Sequence, residues 1–128
     1  PALHSFSFVY SGAPVDKTRL PDAVVINMGT NDGQRVSGDV FGPLYKAYLD
    51  MIRKTYPSAQ IFCLRPFNGA HSAAIEGVVR GQQDSKIQYV DTKDWIDPEK
   101  HTTDKVHLNL EGNRVAAEKV AAILKTVL

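Results

Sequence analysis

The run Ala23-Val24-Val25-Ile26-Asn27-Met28 constrains this chain more than any other feature. Its β-branched residues favour a strand, and the near absence of polar alternation requires both faces to be buried. A strand of that kind belongs to a parallel sheet covered by helices. Pro21-Asp22 turns the chain into it, and Gly29 ends it. Two more strands are predicted: Gln60 to Leu64, closed by Arg65-Pro66, and the alternating Lys86 to Val90. Helical spacing of Leu44, Ala47, Tyr48, Met51 and Ile52 predicts a helix over Val40 to Thr55, stopped by Pro57. A weaker helix spans Ser72 to Gln82, with Gly77 against it. The last helix, from about Leu110 to Val127, carries Val115, Ala116, Val120, Ile123 and Leu124 on one face. A polar loop is expected from Asp91 to about Asn109, and a further short strand over Phe6 to Tyr10.

Strands alternating with helices give an α/β fold with a parallel sheet and right-handed crossovers. In such sheets ligands bind beyond the carboxyl ends of the strands. Two loops qualify by position: Gly29-Thr30-Asn31-Asp32, and the long loop after Val90.

Composition narrows the function. With 15 Lys and Arg against 14 Asp and Glu, the net charge of +1 offers no case for nucleic acid or an acidic membrane as a partner. No apolar run is long enough to span a bilayer. At 128 residues the chain has room for one ordinary domain, and Cys63, its one cysteine, rules out a disulfide framework within the chain. Pro1-Ala2-Leu3-His4 lacks both a starting Met and a targeting segment, so the chain is expected to begin partway through something longer.

In the first loop, Gly29 permits close backbone approach, and the Asn31 amide can aim an N–H at a ligand oxygen. Gly-Thr-Asn-Asp is equally good turn chemistry with no function. In the second, Asp104 precedes His107 by three residues, just before a helix. A carboxylate there can hold imidazole Nδ1–H and leave Nε2 as a general base. The bland alternative is a turn cap beside an ordinary histidine. Asp104 follows Asp32 by 72 positions, with two strand–helix units between, so both loops fall at one edge of one sheet.

Taken together, these segments resemble the SGNH hydrolases, the GDSL-type esterase superfamily. Pro21 to Asp32 resembles its third block, whose Asn donates to an oxyanion, and Asp104 to Asn113 resembles its fifth block, which carries the catalytic Asp and His. Ile61 to Phe67 and the segment around Trp95 resemble the carbohydrate acetyl esterase branch. The resemblance covers roughly residues 20 to 128. It implies a three-layer α/β/α flavodoxin-like fold, with Asp104 and His107 catalytic and Asn31 in the oxyanion hole. Gly29, Thr30, Asp32 and Trp95 would line the substrate site, with no cofactor and no metal. It further implies an ester substrate, an acetylated carbohydrate such as acetylated xylan, and an extracellular setting.

The family's Gly-Asp-Ser nucleophile block is absent; Ser37-Gly38-Asp39 has the wrong order and follows the third block. Residues 1–128 are therefore expected to be the C-terminal portion of one SGNH domain. A separate N-terminal chain carrying Gly-Asp-Ser would complete it. The alternative of another class is a non-catalytic carbohydrate-binding or scaffold protein that has lost its nucleophile. Ser5, Ser7, Ser11, Ser58, Ser72 and Ser85 lack nucleophile context, and Cys63 reads as a buried structural thiol. His4, His71 and His101 lack metal-ligand spacing and read as solvated loop residues. Trp95 can stack on a sugar or cap the last helix. Lys105 reads as solvated beside a surface carboxylate, and Arg65 as a salt bridge at a loop base, with substrate contact the alternative.

Overall fold

The computed structural model describes residues 8–10, 13–14, 18, 20–33 and 35–127. Its elements in order are β1 (Phe8–Tyr10), β2 (Ala13–Pro14), β3 (Ala23–Ile26), α1 (Gly38–Thr55), β4 (Gln60–Leu64), α2 (Ser72–Gln82), β5 (Ile87–Val90), α3 (Pro98–His101) and α4 (Leu110–Leu124). β1 and β2 form a small antiparallel pair. β3, β4 and β5 form the parallel sheet that the sequence predicts, and they lie in that spatial order. Val24 is in register with Ile61 and Ile61 with Ile87, so all three strands run out at one edge. The expected strand over Phe6 to Tyr10 is present as Phe8–Tyr10, and Phe6 and Ser7 lie outside the described residues.

Strand alternation sends Val24, Ile26, Ile61, Cys63, Ile87 and Tyr89 to one face. There they join Phe41, Tyr45, Leu49 and Ile52 of α1 and Ile75 and Val79 of α2 in one core. Gly38 and Gly42 let α1 approach α2 closely, with Ala74 about one van der Waals contact away. Phe62 and Leu64 point the other way and are just as buried. α4 shelters Val115, Ala116, Val120, Ile123 and Leu124 along one side.

Two expectations need correction. The buried face of α1 is Phe41, Tyr45, Leu49 and Ile52; of the predicted stripe Leu44, Ala47, Tyr48, Met51 and Ile52, Ile52 is buried and Tyr48 packs partly against the core, whereas Leu44 is 53% exposed, as is Val40 at 52%. The helix carries two apolar stripes, and the bulkier aromatic one faces the sheet. The loop after β5 also contains a helical turn, α3. Asp97 caps it by accepting from the Glu99 N–H at 3.0 Å, and Pro98 occupies its first position.

Among the described residues β3 has no partner on its outer edge. Val25, at that edge, is 40% exposed.

Candidate active site

The loop after β5 builds a rigid hairpin. α3 ends against the start of α4: the Asn109 N–H donates to the His101 carbonyl at 3.0 Å, and the Asn109 amide donates to the Lys100 carbonyl at 2.8 Å. Asn109 Oδ1 caps α4 by accepting from the Gly112 N–H at 2.9 Å. Between these anchors Thr102 bridges Leu108, and the Thr103 N–H donates to the His107 carbonyl at 2.9 Å. Asp104 to His107 form the tip, which closes because Lys105 adopts φ 66°, the left-handed region.

Asp104 organises that tip. Its Oδ1 accepts from the backbone N–H of His107 at 2.7 Å and of Val106 at 3.0 Å. Its Oδ2 lies 2.6 Å from His107 Nδ1. These bonds stabilise the anion and hold its pKa down to about 2; the His107 backbone N–H contributes most, then the imidazole, then the Val106 N–H. The carboxylate stays ionised across any physiological pH and accepts the Nδ1–H, which leaves Nε2 as the acceptor. The His107 side chain is 74% exposed, and Leu110 beside it is 89% exposed.

The loop after β3 is held together separately. The Asp32 N–H donates to the Gly29 carbonyl at 3.2 Å, closing a turn with Asn31 exposed near its tip. Gly29 has φ 116°, a conformation only glycine holds without strain. A Cβ there would stand 3.1 Å from Phe41 Cζ and 3.4 Å from Pro66 Cγ. Thr30 and Asp32 are half-buried in the same turn. β3 and β5 flank β4, so the two loops leave the sheet edge about 10 Å apart by ordinary strand spacing. The fold joins Asp104 to His107, and no hydrogen bond joins Asn31 to either of them.

The remaining candidates divide. Trp95 is half-buried with Lys119 Nζ 5.6 Å from its ring centre, so α4 supplies a cation over the ring. Arg65 reaches Asp91, Nε to Oδ1 3.7 Å, and the buried Thr92 hydroxyl donates to the Arg65 carbonyl at 2.7 Å, which ties the loops after β4 and β5 together. Lys105 is solvated beside a surface carboxylate, as expected, pairing with the exposed Glu99 at 2.8 Å. Cys63 is buried, and burial raises its pKa to about 11, far from a reactive thiolate. Two histidines are not the solvated loop residues expected. His101 Nδ1 accepts from the Asp97 N–H at 3.0 Å. His71 stacks on Phe41, ring centres 4.1 Å apart and 7° from parallel, a contact across 30 residues that no local motif announces. Among the described residues no three His, Cys, Asp or Glu gather as a metal site.

Known proteins share this fold. An active-site mutant of a family two carbohydrate esterase from Clostridium thermocellum superposes with a TM-score of 0.81 at 26% identity, over 94% of this chain and 41% of that one. The same kind of esterase from that organism, solved in complex with cellohexaose, gives 0.77 at 25% identity with the same coverage. The cellulase/esterase CelE of Acetivibrio thermocellus is 38% identical over 63 residues, 47% of this chain and 8% of CelE. This chain thus spans well under half of the relatives it matches. Residues 11–120 match the model of the GDSL-like lipase/acylhydrolases, and the chain belongs to that family.

Proposed function

We propose that these residues supply the acid–base and oxyanion parts of a serine esterase that removes acetyl groups from a carbohydrate such as acetylated xylan. The observation that carries the reading is the Asp104–His107 pair, in which an ionised carboxylate 2.6 Å from Nδ1 leaves Nε2 turned to solvent as a base. The serine Oγ attacks the ester carbonyl while His107 Nε2 takes its proton. The tetrahedral oxyanion accepts from the Asn31 amide. It then collapses, expelling the alcohol with the proton returned by His107. Water, deprotonated by the same nitrogen, releases acetate from the acyl-serine. Gly29, Thr30 and Asp32 border the oxyanion, and Trp95 borders the sugar. No cofactor enters these steps.

The serine comes from polypeptide outside these 128 residues, the N-terminal portion of the same domain. Three exposures support this. His107 stands in water, whereas ester chemistry gains from an enclosed site. The outer edge of β3 lacks a partner among the described residues, and such an edge normally takes another strand. Val40 and Leu44 at the start of α1 are likewise exposed. Similarity to carbohydrate esterases supports the substrate class, and an extracellular setting rests on the family resemblance alone.

Labelling the full-length protein with a fluorophosphonate tests the reading. The expected result is a phosphonylated serine outside residues 1–128, with label and acetyl-ester turnover both lost in His107→Ala. Absence of label, or label on Ser58, Ser72 or Ser85, would overturn it.

A further inference from the structure

The turn that carries Asn31 is not held by its own hydrogen bonds alone. Its first residue, Gly29, leaves no room for a side chain, since an added Cβ would meet Phe41 and Pro66, and Gly33 packs so tightly on Ala70 that a Cβ there would lie 2.7 Å from the Ala70 methyl. Phe41 in turn meets two rings. Tyr45 lies 5.6 Å away at 30° to it, and His71 lies 4.1 Å away and nearly parallel. His71 takes φ 54° at the start of α2, and the segment before it is pinned by bonds from the Gly69 N–H to the Pro66 carbonyl and from the Ser72 N–H to the Gly69 carbonyl. Its Nε2 is buried with no hydrogen-bond partner. A buried polar atom left unpaired costs free energy, so hydrogen bonding does not account for this placement. What the ring does make is a flat contact with Phe41.

We propose that His71 and Phe41 are positioning residues for the oxyanion donor: His71 fixes the plane of Phe41, and Phe41 fixes the Gly29 turn, and with it Asn31. The proposal rests on the esterase reading for its kinetic consequence and on packing alone for its structural one. Interiors are close-packed, so loss of the His71 ring lets Phe41 tilt into the space, and the turn follows. A misplacement of about 1 Å in a catalytic group costs on the order of a hundredfold in rate.

The test uses His71→Ala and His71→Phe in the full-length protein, with Asn31→Ala and the His71→Ala/Asn31→Ala double variant, assayed on a chromogenic acetate ester. His71→Ala is expected to lower kcat between tenfold and a hundredfold, with KM within twofold. His71→Phe, which restores a flat ring, should recover most of that loss. In the Asn31→Ala background His71→Ala should cost less than threefold, because the donor it positions is already gone. Equal costs in the two backgrounds, or a His71→Phe variant as poor as His71→Ala, would overturn the proposal.

Backbone ¹⁵N relaxation gives a second readout that needs no turnover. Order parameters of amides 29–33 should fall in His71→Ala and recover in His71→Phe, while those of β4 stay fixed. Unchanged values at 29–33 would refute the packing argument even if the protein proved not to be an esterase. Absence of turnover in the unmodified protein, with the relaxation change present, would refute only the esterase reading.

Discussion

Replacing a helical glycine by alanine normally stabilises a protein by about 0.5–1 kcal/mol, because the unfolded chain loses freedom and the helix gains a better former. Gly77, inside α2 with no atom within 4 Å of an added Cβ, should behave that way. Gly112 should do the opposite. A Cβ at this third residue of α4 runs into the His101 carbonyl oxygen and stands 3.0 Å from its carbon and 3.1 Å from the His101 Cβ. The first two atoms are backbone, so no rotamer change relieves the clash and α3 must part from α4. Parting them strains the Asn109 N–H to His101 bond and the Asn109 cap on the Gly112 N–H. Overpacking of this kind costs about 1–3 kcal/mol and a lost hydrogen bond about 1 more, so the net loss after the propensity gain is about 1–3.5 kcal/mol, centred near 2. For a domain of ordinary size that is a fall in Tm of roughly 5–10 °C. The Asp104–His107 hairpin hangs between His101 and Asn109, so acetyl-ester turnover should also fall by more than about tenfold. Thermal unfolding and kcat of Gly112→Ala and Gly77→Ala, side by side in the full-length protein, decide the matter. A Gly112→Ala protein as stable as the parent would mean that α3 and α4 do not meet as described.

Further predictions follow from other contacts. Asp104→Asn keeps an acceptor for the two backbone N–H groups but turns an amide N–H toward His107 Nδ1, which favours the opposite tautomer; kcat should fall about 10⁴-fold with the fold intact, and a loss under tenfold refutes the assigned role. Because the folded Asp104 pKa is depressed, its contribution to stability is complete above the ordinary carboxylate range and is lost as pH falls toward 2; carbon-detected NMR titration of its carboxyl should give a midpoint near 2, and one above 3.5 contradicts the three bonds. Arg53 donates to the Tyr56, Pro57 and Ala59 carbonyls at 3.0, 3.2 and 2.8 Å and pairs with Asp84 at 2.9 Å, so Arg53→Lys should cost about 1.5–3 kcal/mol in urea unfolding. Leu49, fully buried in the α1 core, should cost about 3–5 kcal/mol as Leu49→Ala by the same assay.

Local patterns were legible where local physics decides. β4 lies at Gln60–Leu64 and α2 at Ser72–Gln82, as read from the apolar run and the helical spacing. β3 is shorter than its apolar run, because after Ile26 no residue of β4 continues the pairing. The burial of α1 is only partly legible, since Phe41, Tyr45 and Leu49 satisfy the same period as the predicted Leu44, Ala47, Tyr48 and Met51, with Ile52 common to both faces. Only packing against the sheet selects between them. The Asp97-Pro98 pair did carry a start signal for α3, masked by the polar composition around it. Asp104 and His107 could be paired from sequence because they are three residues apart. His71 could not, because its partner lies on another element.

That contrast separates the two halves of the proposed site. The Asp104–His107 tip is built from contacts among residues 97 to 112, so its geometry depends on one hairpin and two helix ends. The Asn31 turn depends on α1, the end of β4 and the start of α2, brought together by the whole core. A core change such as Leu49→Ala, even where the protein remains folded, therefore reaches the oxyanion donor before it reaches the base. Local elements survive the loosening of distant packing, and a turn whose position is set by tertiary contacts shifts with it. Partial destabilisation should thus lower kcat through Asn31 while Asp104 keeps its depressed pKa. The carboxyl titration and the turnover rate of such a variant would part company, and a parallel loss of both would mean that the hairpin draws its order from the core after all.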